Sequence, residues 1–207
     1  MQSPDRIQRD GAPPTGEGAV VVLGSASARR HQVLRDLGIP FEVAVADVPE
    51  SLDPDDPVAT AATNARRKFD ALRPRHPDRW LLTADTVVFI GGRVLGKPAD
   101  AEEGVRMLRS YSGAVQLVVT AMVFAAPGGA PEAREAVSSL RFRDISEAEA
   151  RAYLARFGTT DRAGAYDLES FRDAVAAIGG SASNIRGLPR EVVADWFRAR
   201  GFPSPPR

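Results

Sequence analysis

The chain has 207 residues, 43% of them hydrophobic and 26% charged, which excludes wholesale disorder, collagen-like sequence and a coiled-coil rod. Lysine plus arginine and aspartate plus glutamate tie at 27 each, so no global positive excess marks a nucleic-acid or membrane-surface binder, and any polyanion must meet a local cluster. With no cysteine and only His31 and His76, thiol nucleophiles, disulfides, thiolate metal sites and a several-histidine zinc site are excluded.

Residues 1–18 are rich in Pro, Gly and charge and lack the apolar stretch of a signal peptide, so they read as a disordered tail. No run approaches the roughly 18 apolar residues of a membrane span, which makes a cytoplasmic protein without a membrane partner the expectation. The proline-rich residues 201–207 read as a C-terminal tail, leaving 19–200 as a single domain.

Ala19 to Leu23 is a continuous apolar run, as in a strand buried on both faces, and Gly24 ends it in a serine-rich turn. Val33, Leu34 and Leu37 then fall at helical spacing, with Gly38 at the stop position and Pro40 beyond. Phe41 to Val45 reads as a second strand. Val58, Ala61, Ala65, Phe69 and Leu72 form an amphipathic stripe closed by Pro74. Leu81 to Ile90 and Arg93 to Leu95 read as strands around a Gly91-Gly92 turn. Asp100 with Glu103 caps a helix from Ala101 to Ser110, and Ser146 with Glu149 caps another from Glu147 to Phe157. Between them, Val115 to Ala126 and Ala133 to Arg143 pair as a hairpin. An irregular stretch to about Gly187 precedes a last helix on Leu188, Val192, Val193, Trp196 and Phe197. The mixture of parallel-type and antiparallel-type elements predicts an α/β domain with a mixed sheet.

Three segments carry candidate chemistry. Gly24 to Arg30 takes a strand through small residues, Ser25 and Ser27 among them, into a helix start bearing Arg29 and Arg30. Free backbone N–H groups and the positive helix end there suit an anion, and arginines in a first turn otherwise oppose the dipole. The other reading is a solvated basic patch. Asp85, with Thr86 beside it, sits inside an otherwise apolar strand, where a carboxylate is expensive unless paired, hydrogen-bonded or holding a cation. A solvent-facing Asp at a strand bend is the alternative. Gly91 to Lys97 fits most of the P-loop expression, but Pro98 replaces its metal-binding hydroxyl and a hairpin precedes it, so that motif is rejected and Lys97 is kept as a cation beside a helix start. Lys68 borders the apolar stripe of its helix and either snorkels or points into a cleft. Glu50 follows a strand and is uninformative alone.

In this order the segments resemble the Maf family of nucleoside triphosphate pyrophosphatases, once described as septum-formation inhibitors. The pieces that carry the resemblance are Leu23 to Arg30, Leu37 to Phe41, Glu50, Ala65 to Lys68, Ala84 to Val88, Leu95 to Glu103, Tyr111 to Gly113, Ala163 to Tyr166 and Ser183-Asn184 with Gly187-Leu188-Pro189. The resemblance implies two lobes around a central cleft, similar to inosine triphosphate pyrophosphatases. It also implies a homodimer, a divalent metal (Mg²⁺ or Mn²⁺), and cleavage of nucleoside triphosphates to monophosphate and pyrophosphate. By position it makes Asp85 the catalytic carboxylate, Glu50 and Asp85 metal ligands, and Ser25, Ser27, Arg30, Lys68 and Lys97 phosphate ligands.

The same resemblance ties Arg29, Thr86 and Glu169 to base selection. Arg29 and Thr86 resemble the dTTP/UTP branch. Glu169 stands where that branch has glutamine and resembles the 7-methyl-GTP branch; a carboxylate only accepts hydrogen bonds, which suits the N1–H and N2–H₂ donors of a guanine. The majority favours dTTP/UTP. A catalytically idle nucleotide-binding regulator of cell division is the alternative from a different class; a carboxylate opposite the cations argues against it.

Overall fold

The computed structural model describes residues 19–158 and 163–203, so the expected tail over 1–18 and residues 204–207 lie outside the described residues. β1 (Val21–Gly24) is buried along its whole length, as its apolar run predicts, and pairs in parallel with both β2 (Phe41–Val43) and β3 (Trp80–Ile90). Helix α1 (Ala28–Asp36) connects β1 to β2, and α2 (Pro57–Leu72) connects β2 to β3. From β3 onward the pairing is antiparallel: β4 (Arg93–Leu95), β5 (Val115–Ala125), β6 (Glu132–Phe142) and β7 (Val175–Gly179) complete a seven-stranded mixed sheet in the order β2-β1-β3-β5-β6-β7, with β4 on β3.

One detail of this topology creates the site. β5 covers residues 81–89 along one edge of β3. On the other edge β1 pairs only with residues 80–83 and β4 only with 88–90. Residues 84–87 are therefore left without a strand on that side, at the carboxyl end of β1, the kind of divergence where α/β sheets place ligands. Strand alternation sends Thr83, Asp85 and Val87 to the face covered by α2 and Leu82, Ala84, Thr86 and Val88 to the other face.

The core comes in three clusters. Val22, Leu81, Val87, Val119, Ala121 and Val123 pack against the α2 stripe of Ala61, Ala65, Phe69 and Leu72. On the opposite face α1 and α6 (Arg190–Ala199) cover Leu23, Leu82, Met122 and Phe124. There Trp196 stacks on Phe124 at 4.7 Å and meets Trp80 edge-on at 6.0 Å. Phe202, placed in a tail by the sequence, belongs to this cluster instead: after α6 ends, the turn at Gly201 (φ +68°) brings its ring back against Trp80 and Phe197, where it is buried. The third cluster forms a second lobe in which α3 (Ala101–Ser110) and α4 (Glu147–Phe157) pack with Tyr111, Phe142, Tyr166 and Phe171 at the far end of β3, β5 and β6.

Both capped helices begin and end where their signatures place them. Asp100 accepts from the Glu103 amide at 2.7 Å, and Ser146 with Glu149 forms the reciprocal box. The stretch read as irregular contains β7 and the short α5 (Ala182–Ile185). β7 escapes the sequence because it is a five-residue edge strand, mostly exposed, with no apolar alternation.

Candidate active site

Arg30 is buried and makes four hydrogen bonds at the open edge of β3. Its Nη1 donates to Ser25 Oγ and to the Ala84 carbonyl, each at 2.9 Å, its Nη2 to Thr86 Oγ1 at 2.9 Å, and its Nε to the Gly187 carbonyl at 2.8 Å. The guanidinium thus satisfies the carbonyl that a missing strand would have bonded and ties β1, β3 and the start of α6 together. Burial pushes its pKa down, Asp85 and Glu50 push it back up, and Arg29 lowers it further. Five N–H donors less four leaves little of the fork for an outside anion. Ser25 is spent in the same way: its Oγ accepts from Arg30 and from the Ser27 amide at 3.3 Å.

Gly187 makes this closure possible. It lies at φ +98°, and a Cβ there would stand 3.4 Å from Thr86 Oγ1 and 3.5 Å from Arg30 Nε. Gly187→Ala is expected to lower the unfolding free energy by about 1–3 kcal/mol in a urea titration, since the conformation excludes a side chain even before the crowding is counted. An unchanged midpoint would show that the segment is free to rearrange.

On the other face, Lys68 Nζ lies 2.6 Å from Asp85 Oδ1 and 2.7 Å from Glu50 Oε1, so one ammonium bridges two carboxylates. Asp85 and Lys68 are nearly buried while Glu50 is exposed. The side chain that the sequence left between snorkelling and a cleft therefore points inward.

Asn64, one helical turn before Lys68, is a residue that sequence reasoning missed. Its Nδ2 donates to Asp85 Oδ2 at 3.2 Å and to the Ser51 carbonyl at 3.0 Å, and its Oδ1 accepts from the Ser51 amide at 2.8 Å. Thr60, a turn earlier, holds Asp53 through its amide and carbonyl, and Arg67 donates to the Pro49 carbonyl. One polar line on α2 thus staples the loop that carries Glu50. The readable signal was Thr60, Asn64 and Lys68 at spacing four, running beside the apolar stripe.

Next to Arg30 a cleft of about 250 Å³ opens between the lobes. Ser27, Arg29 and Thr86 line it from one lobe, and Tyr166, Asp167, Leu168, Glu169 and Arg186 from the other. The three base-selection candidates, Arg29, Thr86 and Glu169, therefore share one cavity. Tyr166 donates its hydroxyl to Gln116 Oε1 at 2.5 Å, and burial holds its pKa well above the usual value, so it stays a neutral donor turned away from solvent. Two charge pairs stand at the mouth: Arg29 lies 3.8 Å from Asp167 across the cleft, and Arg186 lies 3.6 Å from Glu169.

Lys97 is not among the residues lining this cleft. It lines a separate groove with Arg93, Glu103 and Arg106, at the β4 end of the open edge. The histidines carry none of this arrangement: His31 Nε2 pairs with the Ser25 carbonyl at 2.8 Å and its ring tilts on Phe41, a packing role.

Glu50 and Asp85 supply hard carboxylate oxygens of the kind Mg²⁺ or Mn²⁺ prefers, and the Lys68 ammonium marks the point between them where positive charge is favoured. Among the described residues no group of three or more acidic or histidine side chains is arranged as a metal cage. A hard cation here would draw further ligands from water or a bound phosphate, as Mg²⁺ commonly does.

These features define an α/β protein with a polar cleft on one side of a strand edge and an ammonium-bridged carboxylate pair on the other. The chain belongs to the Maf-like protein family, whose model matches residues 20–200. It is 36% identical over 182 residues to the dTTP/UTP pyrophosphatase of Deinococcus radiodurans, covering 87% of this chain and 93% of that one. The dTTP/UTP pyrophosphatase of Geobacter sulfurreducens is 37% identical over 182 residues, covering 86% and 95%. Among solved structures, the Ham1 protein of Staphylococcus aureus superposes with a TM-score of 0.50 at 13% identity, over 87% of this chain and 99% of that one, and shares the fold. None of the described helices is long and apolar enough to cross a membrane.

Proposed function

We propose that this protein hydrolyses nucleoside triphosphates between the α- and β-phosphates, with dTTP and UTP as its substrates. The observation that carries the reading is Asp85 at the open edge of β3, bonded to Lys68 and Asn64 with Glu50 alongside, and backed across the strand by the base-sized cleft. The names of the relatives supply the nucleotides. The base lies in the cleft against Tyr166 and Leu168, and the triphosphate crosses the 84–87 edge toward Lys68, with Ser27 and the first-turn amides of α1 beside its path.

Asp85 is the general base. Water gives its proton to the carboxylate and its oxygen to phosphorus, the anhydride bond to the bridging oxygen breaks, and monophosphate and pyrophosphate leave. Lys68 is poised to follow the developing charge, because a bound polyphosphate offers its ammonium new oxygens in exchange for the carboxylates. Glu50 and Asp85 would hold a divalent cation, Mg²⁺ or Mn²⁺, which supplies charge neutralisation on the phosphates when bound. Lys97, in the groove at the β4 end of the same edge, is a cation on the side toward which the pyrophosphate leaves. The active form is a cytoplasmic homodimer, which light scattering in solution tests.

One observation favours a second substrate. The Glu169 carboxylate is an acceptor only and suits the adjacent N1–H and N2–H₂ donors of 7-methyl-GTP. A panel of UTP, dTTP, CTP, ATP and 7-methyl-GTP assayed for pyrophosphate separates the two: the proposal expects UTP and dTTP to lead in kcat/KM, and a lead for 7-methyl-GTP would replace it.

Asn64→Ala is expected to lower kcat by about tenfold to a hundredfold, since a carboxylate misplaced by an ångström loses that much. Asn64→Asp sets a second carboxylate against Asp85 and should lower kcat at least as much. A loss of stability with kcat unchanged would reduce Asn64 to a loop staple.

A further inference from the structure

The cleft contains a charge pair whose chemistry bears on base choice. Uracil and thymine present an acceptor, a donor and an acceptor along one edge: O4, N3–H and O2. A carboxylate alone can take N3–H but faces the flanking carbonyl oxygens with like charge. Glu169 is not alone. Arg186 lies 3.6 Å away, lines the same cleft, and still has guanidinium N–H groups to donate. Its mount is firm: it is the C-cap of α5, and the next residue, Gly187, is held through its carbonyl by Arg30 at 2.8 Å.

We propose that Arg186 is a specificity-determining residue: Glu169 accepts N3–H while Arg186 donates to the neighbouring carbonyl oxygen. Two side chains then supply the acceptor and the donor that a single amide would supply by itself. The inference rests on the dTTP/UTP reading above and names the residues that would make it work. The pairing has a second consequence. With Arg186 beside it, one side of the Glu169 carboxylate already faces a donor, which leaves it less able to take two donors at once, as it would to bind a guanine edge. Cytosine in the same pose sets its N3 acceptor against the carboxylate.

The test uses the full-length protein and four variants, Arg186→Val, Arg186→Lys, Glu169→Gln and the Arg186→Val/Glu169→Gln double variant, with kcat/KM on UTP, CTP and 7-methyl-GTP. Arg186→Val is expected to lose about tenfold or more on UTP, the effect of removing one charged hydrogen bond, and to gain relative to the parent on 7-methyl-GTP. Arg186→Lys, which keeps a donor, should retain most of the UTP activity. Adding Glu169→Gln to Arg186→Val should restore UTP activity, because the amide both donates and accepts. A merely structural role for Arg186 predicts a lower melting temperature, an equal loss on every nucleotide and no rescue. If the parent hydrolyses UTP but Arg186→Val leaves the UTP to 7-methyl-GTP ratio unchanged, or if the double variant is no better than Arg186→Val, the inference is overturned while the substrate reading stands. If the parent turns over neither UTP nor dTTP, both fall.

Discussion

Asp85→Asn is expected to lower kcat on UTP by a factor of about a hundred to ten thousand, the range that a positioned proton acceptor contributes, while changing KM little. The substitution is close to isosteric, and the carboxamide oxygen can still accept from Lys68, so the fold should survive. What disappears is the group to which the proposed mechanism gives the proton of the attacking water. The strand position makes the role specific. Both oxygens of Asp85 are held from α2, Oδ1 by Lys68 at 2.6 Å and Oδ2 by Asn64 at 3.2 Å, so the carboxylate is fixed in one orientation. Steady-state kinetics with purified variant and Mg²⁺ read this directly, and full turnover would remove Asp85 from the role of base.

The second large effect concerns the fold as much as the site. Arg30→Ala is expected to lower the unfolding free energy by about 2–4 kcal/mol, because the Ala84 carbonyl loses its donor and the Gly187 carbonyl, Ser25 and Thr86 each lose one of theirs. Arg30→Lys should recover only part of this, since a point ammonium cannot satisfy four acceptors set around a planar fork. Urea unfolding monitored at Trp196 and Trp80, which lie in the cluster next to this junction, measures both. A loss below about 1 kcal/mol, the ordinary value of one exposed polar contact, would mean that water replaces the guanidinium without penalty.

Local signals in the sequence were enough for most elements. α3 and α4 have caps whose chemistry is complete within four residues, and both helices begin where those caps place them. β1 and the α2 stripe are legible because burial on a sheet leaves an unbroken or periodic apolar pattern. β7 leaves no such trace, since an exposed edge strand takes its register from β6 and not from its own side chains. The same division runs through the site. Asp85 and Arg30 could be singled out because each breaks a local rule, a carboxylate in an apolar strand and a cation at a helix start. Asn64 breaks none, and its partners Ser51 and Asp85 lie 13 and 21 residues away. The Arg186–Glu169 pair depends on how α5 meets the second lobe, which no local pattern encodes. Lys97 is legible in the sequence as a cation beside the α3 start, but its direction is set by the β4 hairpin, which carries it into the groove with Arg93 and Arg106.

The central claim is that the Asp85, Lys68 and Glu50 cluster opens the α–β anhydride of a pyrimidine triphosphate lying over the gap in β3. Phosphorus NMR of UTP incubated with the purified protein and Mg²⁺ follows every phosphate at once. The account predicts UMP and pyrophosphate appearing in equal amounts with no UDP, whereas UDP with inorganic phosphate, or an unchanged UTP spectrum, would contradict it.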